Sequence, residues 1–196
     1  MATYYVDFDS GTNAANGGTT TGDPYLTVQY AIDDIVANHG KDSPNGDTLR
    51  CIGTLVPTAG WDFSGYVPNP TYPIGIVSDG ATSFGTHSSL NDVRATIDMS
   101  GTSLTALIDQ STIDYVTIAG FRIFPSESVL MSVLIRLDDR CCVIDNVFDY
   151  TDVPTANARG IILLQQDSVI VKNKILGYNT SYGSSNLNLI YCACLL

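Results

Sequence analysis

The chain has 196 residues, 44% of them apolar, and 20 acidic against 9 basic side chains give a formal net charge of −11. That length and apolar share suit one domain with a continuous core, while the acidic balance argues against nucleic acid and anionic membrane surfaces as partners. No apolar run is long enough to span a bilayer, and MATYYVDFDSG at the start shows neither the basic nor the apolar region of a secretory signal.

The first forty residues read as a cap. YYVDF alternates as a short strand, and SGTNAANGGTTTGDP is rich in turn residues. PYLTVQYAIDDIVANHG predicts a helix with Val28, Ala31, Ile32, Ile35 and Val36 on one face and Gly40 near its end. A single amphipathic helix ahead of a run of strands is expected to cover their open end. The glycine-rich loop lacks both patterns of a phosphate cradle, G-x-G-x-x-G and Lys-Ser/Thr. Further on, TAGWDFSGYVPNPTYP and ATSFGTHSSLNDV are long excursions. Trp61, Phe63, Tyr66 and Tyr72 in the first have faces that stack on sugar rings or pack on the protein wall, and packing is the preferred reading.

From residue 105 onward the chain repeats. TALIDQSTIDYVTIAGFRIF, SVLIRLDDRCCVIDNVFDY and RGIILLQQDSVIVKNKILGY stack when written under one another. Ile108, Ile135 and Ile162 fall in one column at steps of 27. Val116, Cys142 and Val169 form a second at 26 and 27, and Ile118, Ile144 and Val171, read as inward-facing, follow at the same steps. Leu189 opens a fourth turn. The short alternating runs, rich in Val and Ile, have the period and composition of strands rather than paired helices. The Leu framework of leucine-rich repeats is absent. Gly120, Asn146 and Asn173 form another column, where a left-handed bend is expected and where stacked Asn side chains can hydrogen-bond along the stack; the alternative is three unrelated turn residues. The repeat therefore predicts an all-β fold: a single-stranded parallel β-helix with an N-terminal capping helix. Residues 1–46 are the strand, loop and helix, and 47–196 the coils of the same domain.

The opening YYVDFDSGTNAANGG…DPYLTVQYAIDDI resembles that of right-handed β-helix proteins of the pectate-lyase-like superfamily, which carry a YYVD-like strand, a Gly/Asn loop, a P-[FY]-x-T-[IV]-Q-x-A-[IV] stretch and a capping helix. DTLRCIGTL at 47–55 then fits a first coil strand, and GIVSDGA at 75–81 with RATIDMSG at 94–101 is similar to the family's I-x-G-[DE]-G…A-T-I-D segment. The resemblance implies right-handed winding. It does not imply one activity, because the superfamily holds lyases, hydrolases, epimerases, phage tailspikes and non-catalytic virion proteins.

Asp138, Asp139 and Arg140 are the chemical candidates. Paired carboxylates serve as general acid and base or hold calcium. Lyases of the resembled fold gather acids around calcium beside a basic residue that takes a proton, and the hydrolases use Asp side chains on adjacent coils. The columns offer a plainer account. Asp114, Arg140 and Asp167 fall together at 26 and 27, and Asp145 and Lys172 lie 27 apart, so strands ~4.8 Å from each other would pair opposite charges. His39 and His87 lie outside the repeat. Five cysteines (Cys51, Cys141, Cys142, Cys192 and Cys194) are an odd set without metal spacing and read as reduced thiols. No metal or cofactor is predicted, apart from calcium under the lyase resemblance.

Loops 123–132, 149–158 and 178–186 leave one corner, with Phe124, Tyr150 and Tyr178 near their starts and Tyr182 inside the last. These aromatics either contact a glycan or partner protein or seal the corner. LNLIYCACLL is apolar to its last residue, so Leu195 and Leu196 are expected to meet another subunit or the rest of a longer protein. The resulting expectation is a structural or interaction module of a phage virion, made in the host cytoplasm, as a capsid decoration or cement or a spike or tail component. It would bind shell or tail proteins or a surface glycan, or associate with itself, for example as a trimer. The balance leans against an enzyme. The alternative is a polysaccharide lyase or glycoside hydrolase, or a fragment of a tailspike depolymerase, acting on an acidic polysaccharide.

Overall fold

In the computed structural model, residues 2–39, 46–80, 94–126, 134–151, 162–177 and 190–192 are described. They form short parallel strands and one short helix. β1 (Ala2–Asp7) is followed by α1 (Val28–Asp34), whose end widens into a π turn over Ile35–His39. β2 (Asp47–Ile52), β3 (Thr54–Leu55), β4 (Ile74–Ser78) and β5 (Thr96–Asp98) come next. Then three successive segments supply three strands each. The first holds β6 (Ile108–Asp109), β7 (Val116–Ala119) and β8 (Arg122–Phe124). The second holds β9 (Ile135–Arg136), β10 (Cys142–Ile144) and β11 (Val147–Asp149). The third holds β12 (Ile162–Leu164), β13 (Val169–Val171) and β14 (Lys174–Leu176), and β15 (Ile190–Cys192) follows.

The strands sort into three sheets. The first has the order β1-β2-β4-β7-β10-β13, the second β14-β11-β8-β5-β3 and the third β15-β12-β9-β6. Every pairing is parallel, and each of the three repeating segments sends one strand to each sheet. One core runs between them. Leu49, Ile76, Ile118 and Val143 line it from the first sheet, Ile97, Ile123 and Phe148 from the second, and Ile108, Ile135 and Ile162 from the third. Parallel pairing in register stacks like on like, which is why Ile108 stands against Ile135 and Ile135 against Ile162 as the repeat predicts.

The same repeat slips by one residue in the first sheet. Cys142 pairs with Thr117 and Val143 with Ile118, a step of 25 rather than 26. The inward series is therefore Ile118, Val143 and Ile170, not Ile118, Ile144 and Val171. The bend moves with it. Positive φ falls at Gly120 (81°), Asp145 (54°) and Lys172 (58°), and Asn146 and Asn173 come one residue later. A one-residue shift exchanges the two faces of a strand, and here both faces are apolar, so alternation alone does not fix the register.

At the start of the chain, β1 pairs residue by residue with β2, from Ala2 opposite Asp47 to Asp7 opposite Ile52, and so belongs to the first sheet as well as to the predicted cap. Thr27 caps α1 by accepting the Tyr30 N–H at 3.2 Å. Val28, Ala31, Ile32 and Ile35 are buried as expected, whereas the π turn leaves Val36 exposed. The helix also holds the Gly/Asn loop: buried Asp34 accepts the Tyr25 hydroxyl at 2.6 Å and the Asn16 N–H at 2.9 Å. The aromatic excursion packs inward. Trp61, Phe63 and Tyr66 are buried, Trp61 lies edge-on to Phe121 at 6.2 Å, and the Trp61 main-chain N–H donates to the Leu107 carbonyl at 2.8 Å. Gln29 accepts the Asp62 N–H at 2.7 Å, and Gln110 accepts that of Phe63 at 2.8 Å. No helix among the described residues is long and apolar enough to cross a membrane.

Candidate functional site

The sequence candidates Asp138, Asp139 and Arg140 sit on the bend that leads into β10, and the bends before β7 and β13 lie beside it. Three residues with positive φ mark these bends: Tyr115 (56°), Arg140 (54°) and Asp167 (57°). A left-handed residue turns the chain sharply into the next strand, and its cost of roughly 1–2 kcal/mol for a side chain with a Cβ is met by the contacts around it. Asp114 accepts the main-chain N–H of Asp139 at 3.0 Å, and Asp139 accepts that of Gln166 at 2.8 Å. Each carboxylate thus caps the next bend. Arg140 lies between Asp114 and Asp167, at 3.8 Å from each, with its guanidinium 5.6 Å from the Tyr115 ring centre. The opposite-charge column expected from the repeat is present. Arg140 and Asp167 are substantially exposed, so these pairs contribute little, about 0–1 kcal/mol each.

Asp138 is different. Burial, and then the neighbouring charges of Asp114 and Asp139, push its carboxyl above the ordinary range. Behind it Cys141 is buried among the Ile113 carbonyl, the Asp139 carbonyl and the Val116 N–H, and burial pushes its thiol up to about 12. A shielded carboxyl with a raised affinity for protons is the property a general acid needs. Calcium needs six or more converging oxygens. Among the described residues no three His, Cys, Asp or Glu side chains gather to hold a metal ion; one oxygen each of Asp114 and Asp139 accepts a main-chain N–H, and the other Asp114 oxygen faces Arg140. This donor set does not fit calcium.

No family model, curated protein or solved structure matches this chain. The site is therefore argued from geometry.

The corner aromatics do not form a column. With β8 and β11 offset by 25, Phe124 stands level with Asp149 and Tyr150 falls one residue later. Phe124 is half-buried under the Arg122 guanidinium, 5.0 Å from the ring centre, and Tyr150 is buried at 2% exposure. Tyr150 packs into the core and offers no surface for a ligand. Tyr178, Tyr182, Leu195 and Leu196 lie outside the described residues.

Three features escaped the sequence. Asp145 is paired with Arg94, a buried guanidinium 51 residues upstream that also hydrogen-bonds the Asp145 carbonyl, a partner the repeat does not point to. A cavity of about 500 Å³ lies between α1 and the excursion, lined by Phe8, Leu26, Gln29, Leu55 and Trp61 among others. A furrow of about 320 Å³ runs across the outer face of the first sheet, where Val77, Ala119 and Ile144 line it together with Gly120, Asp145 and Lys172. The signal for the last was present in IGIVS, VTIA, CVI and VIV, which are apolar at every or nearly every position.

Proposed function

We propose that the three parallel sheets close into a right-handed β-helix of the pectate-lyase-like kind, and that the chain is a non-catalytic structural or interaction module. Strand–crossover–parallel strand connections are right-handed in nearly all folds, and successive segments that each send one strand to three sheets are what a winding chain produces. One observation carries the functional part: the acidic and basic residues that look catalytic are used to tie successive bends together, Asp114 to Asp139, Asp139 to Gln166, and Arg140 to both Asp114 and Asp167. Together with the acidic charge and the resemblance, this supports a capsid decoration or a spike or tail component of a phage virion. Such a part would dock on a shell protein or on other copies of itself.

One observation favours a second reading, hydrolysis of an acidic polysaccharide: the raised proton affinity of Asp138 beside Asp114 and Asp139. The two readings separate in one experiment. The purified chain is incubated with acidic polysaccharides, with and without calcium, and unsaturated products and reducing ends are followed. The module reading expects neither. Product that disappears in Asp138→Asn would overturn it in favour of the hydrolase.

A further inference from the structure

The outer face of β4, β7, β10 and β13 differs from those of the other two sheets, and it ends at Arg50, which β2 sets beside Val77. On the second sheet the alternate positions intersperse Asp98, Arg122, Asp149 and Lys174 among Thr96, Phe124, Val147 and Leu176, and the third carries Asp109 and Arg136. On the first sheet, register aligns Val77, Ala119, Ile144 and Val171 in one outward column. Gly75, Thr117, Cys142 and Val169 form the other. Four adjacent strands thus present no charge, and Val169 and Val171 stand 44% and 42% exposed. Near-continuous apolar strands are the mark of a parallel sheet buried on both faces. Among the described residues the inner face is covered and this outer one is not.

The size of the face limits its occupant. Four strands ~4.8 Å apart and three residues of ~3.3 Å each give an apolar area of about 200 Å². A single α-helix, about 10 Å across and 1.5 Å per residue, covers the same area with about twelve residues. The rims decide its charge. At the strand starts Asp114, Asp138, Asp139 and Asp167 outnumber Arg140. At the strand ends Asp79 is paired with Arg50, Asp145 with Arg94, and Lys172 adds a positive charge. One long rim is therefore acidic and the other is not, on a chain of net charge −11.

We infer that this face is a docking surface for an amphipathic helix of a partner protein, its apolar stripe laid along the furrow and its basic flank over the bends at 114, 139 and 167. A second copy of this chain would set its own acidic rim against this one. The inference rests on the reading of the chain as a docking module, and the two can fail separately. Polysaccharide cleavage would remove the module reading whatever helix binds.

The probe is an 18-residue Leu/Lys peptide with one Leu face, titrated into the isotope-labelled chain and followed by two-dimensional NMR. Shift changes are expected on β4, β7, β10 and β13. Ala119→Arg, which points outward and leaves the core intact, should weaken binding at least ten-fold. A Leu/Glu peptide and a Gln/Lys peptide should each bind at least ten-fold more weakly than Leu/Lys. Absence of shifts at millimolar peptide would overturn the inference. So would binding indifferent to Ala119→Arg, or equal binding of the Leu/Glu peptide. A dimer of the free chain that Ala119→Arg dissociates would also overturn it, by giving the face to a second copy.

Discussion

The carboxamide oxygen of Asn173 accepts two hydrogen bonds from Asn146, one from its main-chain N–H at 2.9 Å and one from its side-chain Nδ2 at 3.1 Å. Asn146 in turn accepts the Phe121 N–H at 2.9 Å and donates to the Ile118 carbonyl at 3.1 Å, and Asn173 donates to the Val143 carbonyl at 2.7 Å. The two side chains therefore satisfy main-chain groups that the sharp corner takes out of the strand ladders. Asn146 is 0% exposed, so water cannot replace them.

Asn146→Ala should accordingly be among the more damaging single substitutions. It takes the Asn146 side chain from the Phe121 N–H and the Ile118 carbonyl in a closed site, at about 1–3 kcal/mol for each buried group that finds no other partner, while Asn173 keeps the Asn146 main-chain N–H and the Val143 carbonyl. A loss of about 2–4 kcal/mol in urea unfolding is expected. Asn173→Ala, in a half-buried position, should cost less. Equal effects would show that the ladder is not what holds the corner.

The left-handed residues make a prediction of the opposite kind. Lys172 has φ 58° and is exposed, so replacing it tests backbone conformation with little packing in the way. Lys172→Gly should be neutral or slightly stabilising, because relief of the conformation offsets glycine's entropy in the unfolded chain. Lys172→Val should cost about 1–2 kcal/mol, since a β-branched side chain is poorly tolerated there. Thermal unfolding of the two variants checks the order. Valine equal to glycine would mean that the bend is not left-handed.

These residues also show what the sequence hid. The third sheet was readable because Ile108, Ile135 and Ile162 recur at a constant step, the first two beside charged Asp109 and Arg136. In the first sheet Cys142, Val143 and Ile144 are all apolar, so either Val143 or Cys142 with Ile144 could face the core. The chain there is one residue shorter than the alignment suggested. Gly120 bends where the column predicts, whereas the other two bends fall one residue before Asn146 and Asn173 for the same reason, and Asp145, Lys172, Arg140 and Tyr115 do not advertise a left-handed conformation as Gly or Asn would. Arg94–Asp145 was invisible because it joins the repeat to a residue outside it.

The register also sets which cysteine reacts. Cys142 points outward and is half-buried, whereas Cys51 and Cys141 are buried and desolvation pushes both thiols up, Cys141 to about 12. Alkylation requires an accessible thiolate. In the folded chain iodoacetamide should modify Cys142 at least about 100-fold faster than Cys51 or Cys141, with the difference lost in denaturant. Peptide mapping by mass spectrometry separates the sites. Equal labelling of Cys141 and Cys142 would contradict the pairing of Cys142 with Thr117.

Two carboxyls should shift acid stability in opposite directions. Burial alone would raise Asp149, but hydrogen bonds from Thr151 and the Arg122 guanidinium, at 2.5 Å, outweigh it and hold the carboxyl below the ordinary range. A folded value below the unfolded one of about 3.9 makes Asp149 stabilising above about pH 4, and the contribution is lost as pH falls through the folded value. Asp138 is raised, by burial first and by Asp114 and Asp139 next. Its ionisation therefore opposes folding: the penalty grows as pH rises from the unfolded value through the folded one, and is complete above it. At pH 7 Asp149→Asn should lower the unfolding midpoint and Asp138→Asn should raise it. Each difference should shrink on acidification, that of Asp138→Asn first, because its carboxyl takes up a proton at the higher pH. Midpoints that move in the same direction at pH 7 would mean that Asp138 does not carry the strain its surroundings imply, and the general-acid reading of that residue would lose its one support.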